Sequence, residues 1–192
     1  FIVMAASDEA ELVRMINTST EINDRPCAFR YPRGTGLGAN LPSINDKIEI
    51  GKSKVIREGK KLAILNFGAR LNETLKAAES LKKKGVNVTI VDARFVKPLD
   101  ENLIWQLATT HEAIITIEEG SIGGFGSHVV NFLSQKGLMD SNLKFRSMIL
   151  PDIFIDQNSP DNMYKTANLD CHSIEEKVLD VLNSNIVLQK QK

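Results

Sequence analysis

The sequence has 192 residues, of which 42% are hydrophobic, 25% are charged and 6% are aromatic. These proportions are typical of a globular chain and exclude a disordered or fibrous protein. The 24 Lys and Arg residues equal the 24 Asp and Glu residues in number, which argues against binding nucleic acid or a membrane surface through bulk charge. Cys27 and Cys171 form no CxxC pair, so we predict reduced thiols rather than a disulfide framework or a zinc site.

The first part of the chain contains two predicted strands and one predicted helix. Residues 1–6 (FIVMAA) form an apolar strand, which is too short for a signal-peptide core or a membrane span. Ser7 is the predicted N-cap of the helix that follows. A second strand at residues 27–29 runs into a segment rich in proline and glycine, and residues 37–51 show no periodicity. Because the chain opens inside a strand, we expect a fragment of a longer protein, with a domain boundary near Gly51.

The rest of the chain alternates between predicted strands and helices. Predominantly apolar runs predict four buried strands, at residues 62–67, 86–91, 113–117 and 143–150. Helical spacing of apolar residues predicts helices at 71–84, from Asp100 onward, and at 123–136, 159–169 and 173–182. Apolar strands that alternate with helices indicate an α/β fold, with a mostly parallel sheet covered by helices on both faces. Such sheets bind ligands at the carboxyl ends of their strands.

Residues 30–38 (RYPRGTGLG) are the strongest candidate for a binding site. They follow a predicted strand and place Arg30 and Arg33 on a glycine-rich loop, where backbone amides and guanidinium groups suit phosphate oxygens. The segment lacks the GK[ST] ending of a P-loop and the helix of a dinucleotide-binding fingerprint. The alternative is that one arginine is solvated and the other makes a structural ion pair.

Residues 120–126 (GSIGGFG) form a second glycine-rich segment, at a predicted strand-to-helix turn. Such a turn can hold an anion at a helix N-terminus, although close packing of strand against helix is the more common reason for its glycines. Glu118 and Glu119 end the preceding strand and could serve as acid or base, but capping and loop ion pairing are the expected roles. None of the three histidines has the spacing of a metal ligand.

Three segments together resemble the carboxyl-terminal part of the 1-deoxy-D-xylulose-5-phosphate synthase family. They are residues 30–38 (RYPRGTGLG), 92–100 (DARFVKPLD) and 111–130 (HEAIITIEEGSIGGFGSHVV), and they occur in the order and at the spacing of that family. The D-x-R…P-x-D pattern and the EEG turn are also similar to other transketolase-like enzymes, including the β subunits of 2-oxo acid dehydrogenases. The RYPRG and FVKPLD sequences favour the synthase family.

The resemblance implies a transferase that depends on thiamine diphosphate and Mg²⁺. Such an enzyme decarboxylates pyruvate and joins the two-carbon unit to D-glyceraldehyde 3-phosphate. The product, 1-deoxy-D-xylulose 5-phosphate, begins non-mevalonate isoprenoid synthesis and also feeds thiamine synthesis. The resemblance further implies a homodimer when intact, cytoplasmic in bacteria or located in a plastid in a eukaryote. It divides the chain into the end of the pyrimidine-binding domain, residues 1–50, and the carboxyl-terminal domain, residues 51–192.

The resemblance assigns a ligand role to a single residue. Arg33 matches the arginine that binds the phosphate of glyceraldehyde 3-phosphate, whereas Arg30 is expected to be structural. The family's cofactor-binding motifs, its activating glutamate and its substrate-facing histidine lie upstream. We therefore expect this chain to have no catalytic residue, to bind no cofactor or metal, and to be inactive alone. Glu118, Glu119 and His128 are expected to take part in packing and interfaces.

Two other identities remain open. The first is a stand-alone module that dimerises, or docks onto a partner, as half of a split transketolase. The second is the β subunit of a 2-oxo acid dehydrogenase. A start codon directly before Phe1 would favour the module. Decarboxylation coupled to a lipoyl carrier, with no use of glyceraldehyde 3-phosphate, would establish the β subunit.

Overall fold

A computed structural model of the chain describes residues 1–189, and the predicted domain end at residue 192 lies outside that range. Eight strands and six α-helices are found in the described residues. In chain order they are β1 (Ile2–Ala5), α1 (Glu9–Ser19), β2 (Cys27–Arg30), β3 (Lys54–Arg57), β4 (Leu62–Phe67), α2 (Leu71–Lys83), β5 (Thr89–Asp92), β6 (Phe95–Lys97), α3 (Glu101–Thr110), β7 (Ala113–Glu118), α4 (Phe125–Gln135), β8 (Lys144–Met148), α5 (Pro160–Thr166) and α6 (Cys171–Gln189).

The larger sheet has five strands in the order β3–β5–β4–β7–β8. Only β3 runs antiparallel to its neighbour β5, and the other neighbours are parallel. Every residue of β4, β5 and β7 is buried, which explains why most of their residues are apolar. The structure therefore confirms the predicted α/β fold with a mostly parallel sheet.

Helices cover both faces of this sheet, as the sequence predicts. On one face, Leu81 of α2 and Val178 of α6 belong to a core that also contains strand residues. On the other, Ile104 of α3 and Val129 of α4 belong to a second core. Among the described helices, none combines the length and the hydropathy needed to cross a bilayer.

The smaller sheet has the strand order β2–β1–β6. β1 and β2 are parallel, and β6 runs antiparallel to β1. Met4, Met15 and Phe95 form the buried centre of its core, which packs the sheet against α1. Because β6 follows β5 after only two residues, residues 92–97 connect the two sheets directly.

The structure departs from the sequence-based predictions in several elements. β3 and β6 were not predicted, because they are short and partly exposed. The last helix, α6, is longer than the predicted 173–182. The N-cap of α1 is Asp8, not Ser7, because the Asp8 carboxylate accepts the Glu11 amide at 2.7 Å.

Candidate functional site

Arg30 joins the two sheets at the carboxyl ends of their strands. Its guanidinium donates to the main-chain oxygens of Phe67, the last residue of β4, and of Glu119, just after β7, at 3.2 Å in each case. The same group lies 5.3 Å from the centroid of the Phe67 ring, a distance suited to a cation–π contact. Arg30 thus has the structural role that the resemblance implied for it.

A cavity of about 500 Å³ opens beside this junction. The cavity is lined by residues from the start of α1, the loop after β2, the start of α2 and α5. Arg33 lies on this wall and is exposed. Within the described part of the chain, no hydrogen bond or ion pair involves its guanidinium. The structure therefore leaves Arg33 accessible to a ligand in the cavity, whereas Arg30 is occupied.

Arg70 also lies on the cavity wall, but its charge is neutralised by a neighbour. Its Nε is 3.0 Å from Oε1 of Glu119, and its guanidinium lies 3.5 Å from the centroid of the Tyr164 ring. The Tyr164 hydroxyl donates to the same carboxylate oxygen at 2.6 Å. Burial, together with this negatively charged neighbour, raises the pKa of Tyr164 to about 12. Glu119 thus makes the loop ion pair that we expected of it.

The glycine-rich loop after β2 already holds an anion, and that anion belongs to the chain itself. The Glu9 carboxylate accepts the amides of Leu37, Gly38 and Ala39 at 3.0, 2.6 and 2.8 Å. Hydrogen bonds from backbone amides, first its own and then those of the loop, hold the pKa of Glu9 below its ordinary value. The loop amides thus approach an anion, as the sequence suggested, but for these three the anion is an internal carboxylate.

Glu9 was not identified from the sequence. It lies in the first turn of a helix, where acidic residues are common because they favour the helix dipole. Its partners follow 28 to 30 residues later, and no local pattern links the two segments. The nearest signal in the sequence is the run of glycines. It indicates that another group approaches the loop backbone closely, but it does not identify that group.

The second glycine-rich segment also surrounds an internal carboxylate. Glu118 is buried and accepts the amide of Gly126, in the first turn of α4, at 2.9 Å. A Cβ added at Gly120 would lie 2.5 Å from Oε2 of Glu118, and one added at Gly124 would overlap the same oxygen. These contacts confirm that Gly120 and Gly124 serve close packing and that Glu118 caps the helix.

The described residues do not fit a magnesium–diphosphate site. Within residues 1–189, no group of three or more His, Cys, Asp and Glu side chains is arranged to hold a metal ion. Two acidic side chains of the cavity wall are also engaged, since Glu73 pairs with Lys76 at 2.6 Å and Glu9 is held by amides. We therefore derive no step through such a cofactor from this chain.

Two comparisons with known proteins agree with this architecture. Residues 51–174 match the family described as "Transketolase, C-terminal domain", a range that contains all five strands of the larger sheet and excludes Arg33. A solved structure described as "Split gene transketolase, inactive beta4 tetramer" is similar with a TM-score of 0.80 and 25% sequence identity. The similarity covers 95% of this chain, and the chain spans 58% of that one.

Proposed function

The chain belongs to the transketolase C-terminal domain family, and from this premise we propose that it supplies the carboxyl-terminal part of a transferase that depends on thiamine diphosphate. In this proposal, residues 51–192 are the carboxyl-terminal domain and residues 1–50 are the end of the pyrimidine-binding domain. The cofactor is held by polypeptide other than this chain. We use "complete enzyme" for this chain together with the polypeptide that carries the cofactor site.

For the complete enzyme we propose the condensation of pyruvate, with decarboxylation, and D-glyceraldehyde 3-phosphate to give 1-deoxy-D-xylulose 5-phosphate. The main support for the proposal is the position of Arg33. It belongs to the RYPRG segment, and its exposed guanidinium lies on the cavity wall. A planar guanidinium offers paired donors to phosphate oxygens. Arg70 and Lys76, on the same wall, are each paired with a glutamate. Arg33 is therefore the proposed phosphate ligand.

The test is Arg33→Ala in the complete enzyme. Loss of a charge-assisted phosphate contact should raise the KM for glyceraldehyde 3-phosphate by about 30- to 150-fold, equivalent to about 2–3 kcal/mol. The KM for pyruvate should stay unchanged. Arg25→Ala is the matched control, because Arg25 is exposed, pairs with Asp24 and lies outside the cavity. An unchanged KM for the aldehyde would contradict the proposal.

A second candidate is an oligomeric module that forms half of a split transketolase. The observation in its favour is the similarity, over 95% of this chain, to the structure described as a split gene transketolase tetramer. Sedimentation of the purified chain tests it, since a module of this kind should form a dimer or a tetramer. In both candidates the chain alone is inactive with pyruvate, glyceraldehyde 3-phosphate, thiamine diphosphate and Mg²⁺. Turnover under those conditions would contradict both.

A further inference from the structure

We propose that Glu9 is a positioning residue for Arg33, an inference that rests on the function proposed above for Arg33. Between β2 and β3 the described chain has no helix or strand, so the loop that carries Arg33 depends on other contacts for its shape. The Glu9 carboxylate provides three of them, to the amides of Leu37, Gly38 and Ala39. These hydrogen bonds begin four residues after Arg33.

The glycines of the loop leave space for the Glu9 carboxylate. A Cβ added at Gly36 would lie 2.8 Å from both the carboxyl carbon and Oε1 of Glu9, so a larger residue would push the side chain away. Gly38 has a φ of +82°, a conformation that L residues other than glycine rarely adopt. The backbone therefore turns so that successive amides point to one acceptor, an arrangement typical of anion-binding nests.

Glu9 is itself held in place by the larger sheet. It is the first residue of α1, whose N-terminus is fixed by a 2.6 Å hydrogen bond from Ser7 to Asp92 at the end of β5. Two residues along the helix, Glu11 accepts a hydrogen bond from Arg94 at 2.9 Å. The contacts thus run from the five-stranded sheet through α1 to the loop. Because the loop is ordered before a ligand arrives, less conformational freedom is lost on binding.

The negative charge of Glu9 is essential to this role. A carboxylate can accept several amides at once, and each bond is strengthened by its charge. Glutamine has nearly the same shape, but it is neutral and one of its two terminal groups is a donor that cannot accept an amide. In Glu9→Gln we therefore expect the loop to loosen without a change at the Arg33 side chain itself.

Two measurements on Glu9→Gln test the proposal. In the complete enzyme, the KM for glyceraldehyde 3-phosphate should rise by about 3- to 10-fold, with the KM for pyruvate and kcat unchanged. Hydrogen exchange of the amides at residues 37–39 should become at least about tenfold faster, because their acceptor is weakened. Glu21→Gln is the matched control, since Glu21 pairs with Lys47, which lies eight residues beyond the last amide that Glu9 holds.

A second variant and a double variant separate positioning from general instability. Gly36→Ala disturbs the same contact from the loop side, and it should raise the KM for the aldehyde to a similar degree. In an Arg33→Ala background, Glu9→Gln should raise the aldehyde KM no further, because its effect is exerted through the guanidinium. Equal melting temperatures of Glu9→Gln and Glu21→Gln would exclude unfolding as the cause.

The outcomes distinguish this proposal from the one on which it rests. Faster exchange, a higher aldehyde KM and no added effect in the Arg33→Ala background support the positioning role. Additive effects, or an unchanged KM despite faster exchange, overturn it while leaving Arg33 as the phosphate ligand. An Arg33→Ala enzyme with an unchanged aldehyde KM overturns both, and faster exchange at residues 37–39 would then assign Glu9 to loop stability alone.

Discussion

The Ser7 hydroxyl donates a hydrogen bond of 2.6 Å to the Asp92 carboxylate across 85 residues of sequence. Ser7 lies between β1 and α1, and Asp92 ends β5, so the bond ties the smaller sheet and its helix to the larger sheet. The Arg94 amide donates to the other carboxylate oxygen at 3.2 Å. Burial raises the pKa of Asp92 from its ordinary 3.8 to about 7, against the opposing effect of the Ser7 hydrogen bond.

Asp92→Asn should change how stability depends on pH. The folded-state pKa of this acid lies above its unfolded value, so its contribution to stability falls as the pH rises from about 4 to about 7. Asparagine keeps the shape and stays neutral. The free energy of unfolding of the variant, relative to the natural chain, should therefore increase by about 2–3 kcal/mol between about pH 5 and about pH 8.

Urea unfolding followed by circular dichroism at several pH values measures this difference. Asp152→Asn is the control, because Asp152 is exposed and its substitution should leave the pH profile unchanged. A difference between Asp92→Asn and the natural chain that does not vary with pH would show that Asp92 is ionised throughout this range.

Gly124→Ala should destabilise the fold through the Glu118 carboxylate. The φ of Gly124 is −81°, which any residue can adopt, so the effect is purely one of space. An added Cβ would overlap Oε2 of Glu118, and overpacking of this kind costs about 1–3 kcal/mol. Gly34→Ala is the control, because no atom lies within 4 Å of its added Cβ.

Thermal and chemical unfolding of the two alanine variants checks the prediction. Adding Glu118→Ala to Gly124→Ala should remove part of the loss, since the overlapping atom is then absent. Equal stabilities of Gly124→Ala and Gly34→Ala would contradict the close packing of this turn around the carboxylate.

The elements that could be predicted from sequence are those whose burial is uniform. β4 and β7 are buried at every position, and their predominantly apolar sequences identify central strands of a parallel sheet. β3 and β6 are short and partly exposed. Each is defined by its pairing with a strand elsewhere in the chain, so neither has a pattern of its own.

The candidate site was predictable only in part, for a related reason. The sequence pattern offers two arginines on one loop, and only the resemblance distinguished Arg33 from Arg30. The side chains that complete the site come from distant segments. Tyr164 reaches Glu119 across 45 residues, and Glu9 reaches the glycine loop across 28 or more. Contacts of this kind depend on tertiary structure, which a local spacing rule does not describe.

Tyr164→Phe should weaken the group formed by Arg70, Glu119 and Tyr164. The variant keeps the ring beneath the Arg70 guanidinium but loses the 2.6 Å hydrogen bond to Glu119. We expect the free energy of unfolding to fall by about 1.5–3 kcal/mol, as for other hydrogen bonds to charged groups. Alkaline titration of tyrosine absorbance should also lose the phenol whose pKa is about 12.

Tyr31→Phe provides the comparison for stability, because the Tyr31 side chain is 60% exposed. Its substitution should change the free energy of unfolding by less than about 0.5 kcal/mol. Equal losses in the two variants would indicate that the Tyr164 hydroxyl contributes nothing through Glu119.

Arg30 and Arg33 should differ in their effect on stability, although both belong to the RYPRG segment. Arg30→Ala leaves the main-chain oxygens of Phe67 and Glu119 without their donor, and should lower the free energy of unfolding by about 2 kcal/mol. Arg33 is exposed and has no such partner in the described part of the chain. Arg33→Ala should therefore stay within about 0.5 kcal/mol of the natural chain.

Guanidinium chloride unfolding of both alanine variants measures the contrast, and it needs no substrate. A stability loss in Arg33→Ala as large as that in Arg30→Ala would mean that Arg33 is occupied by the protein itself. In that case a higher aldehyde KM in the complete enzyme could arise from a displaced loop. A stable Arg33→Ala chain would instead allow any loss of aldehyde affinity to be attributed to the missing guanidinium.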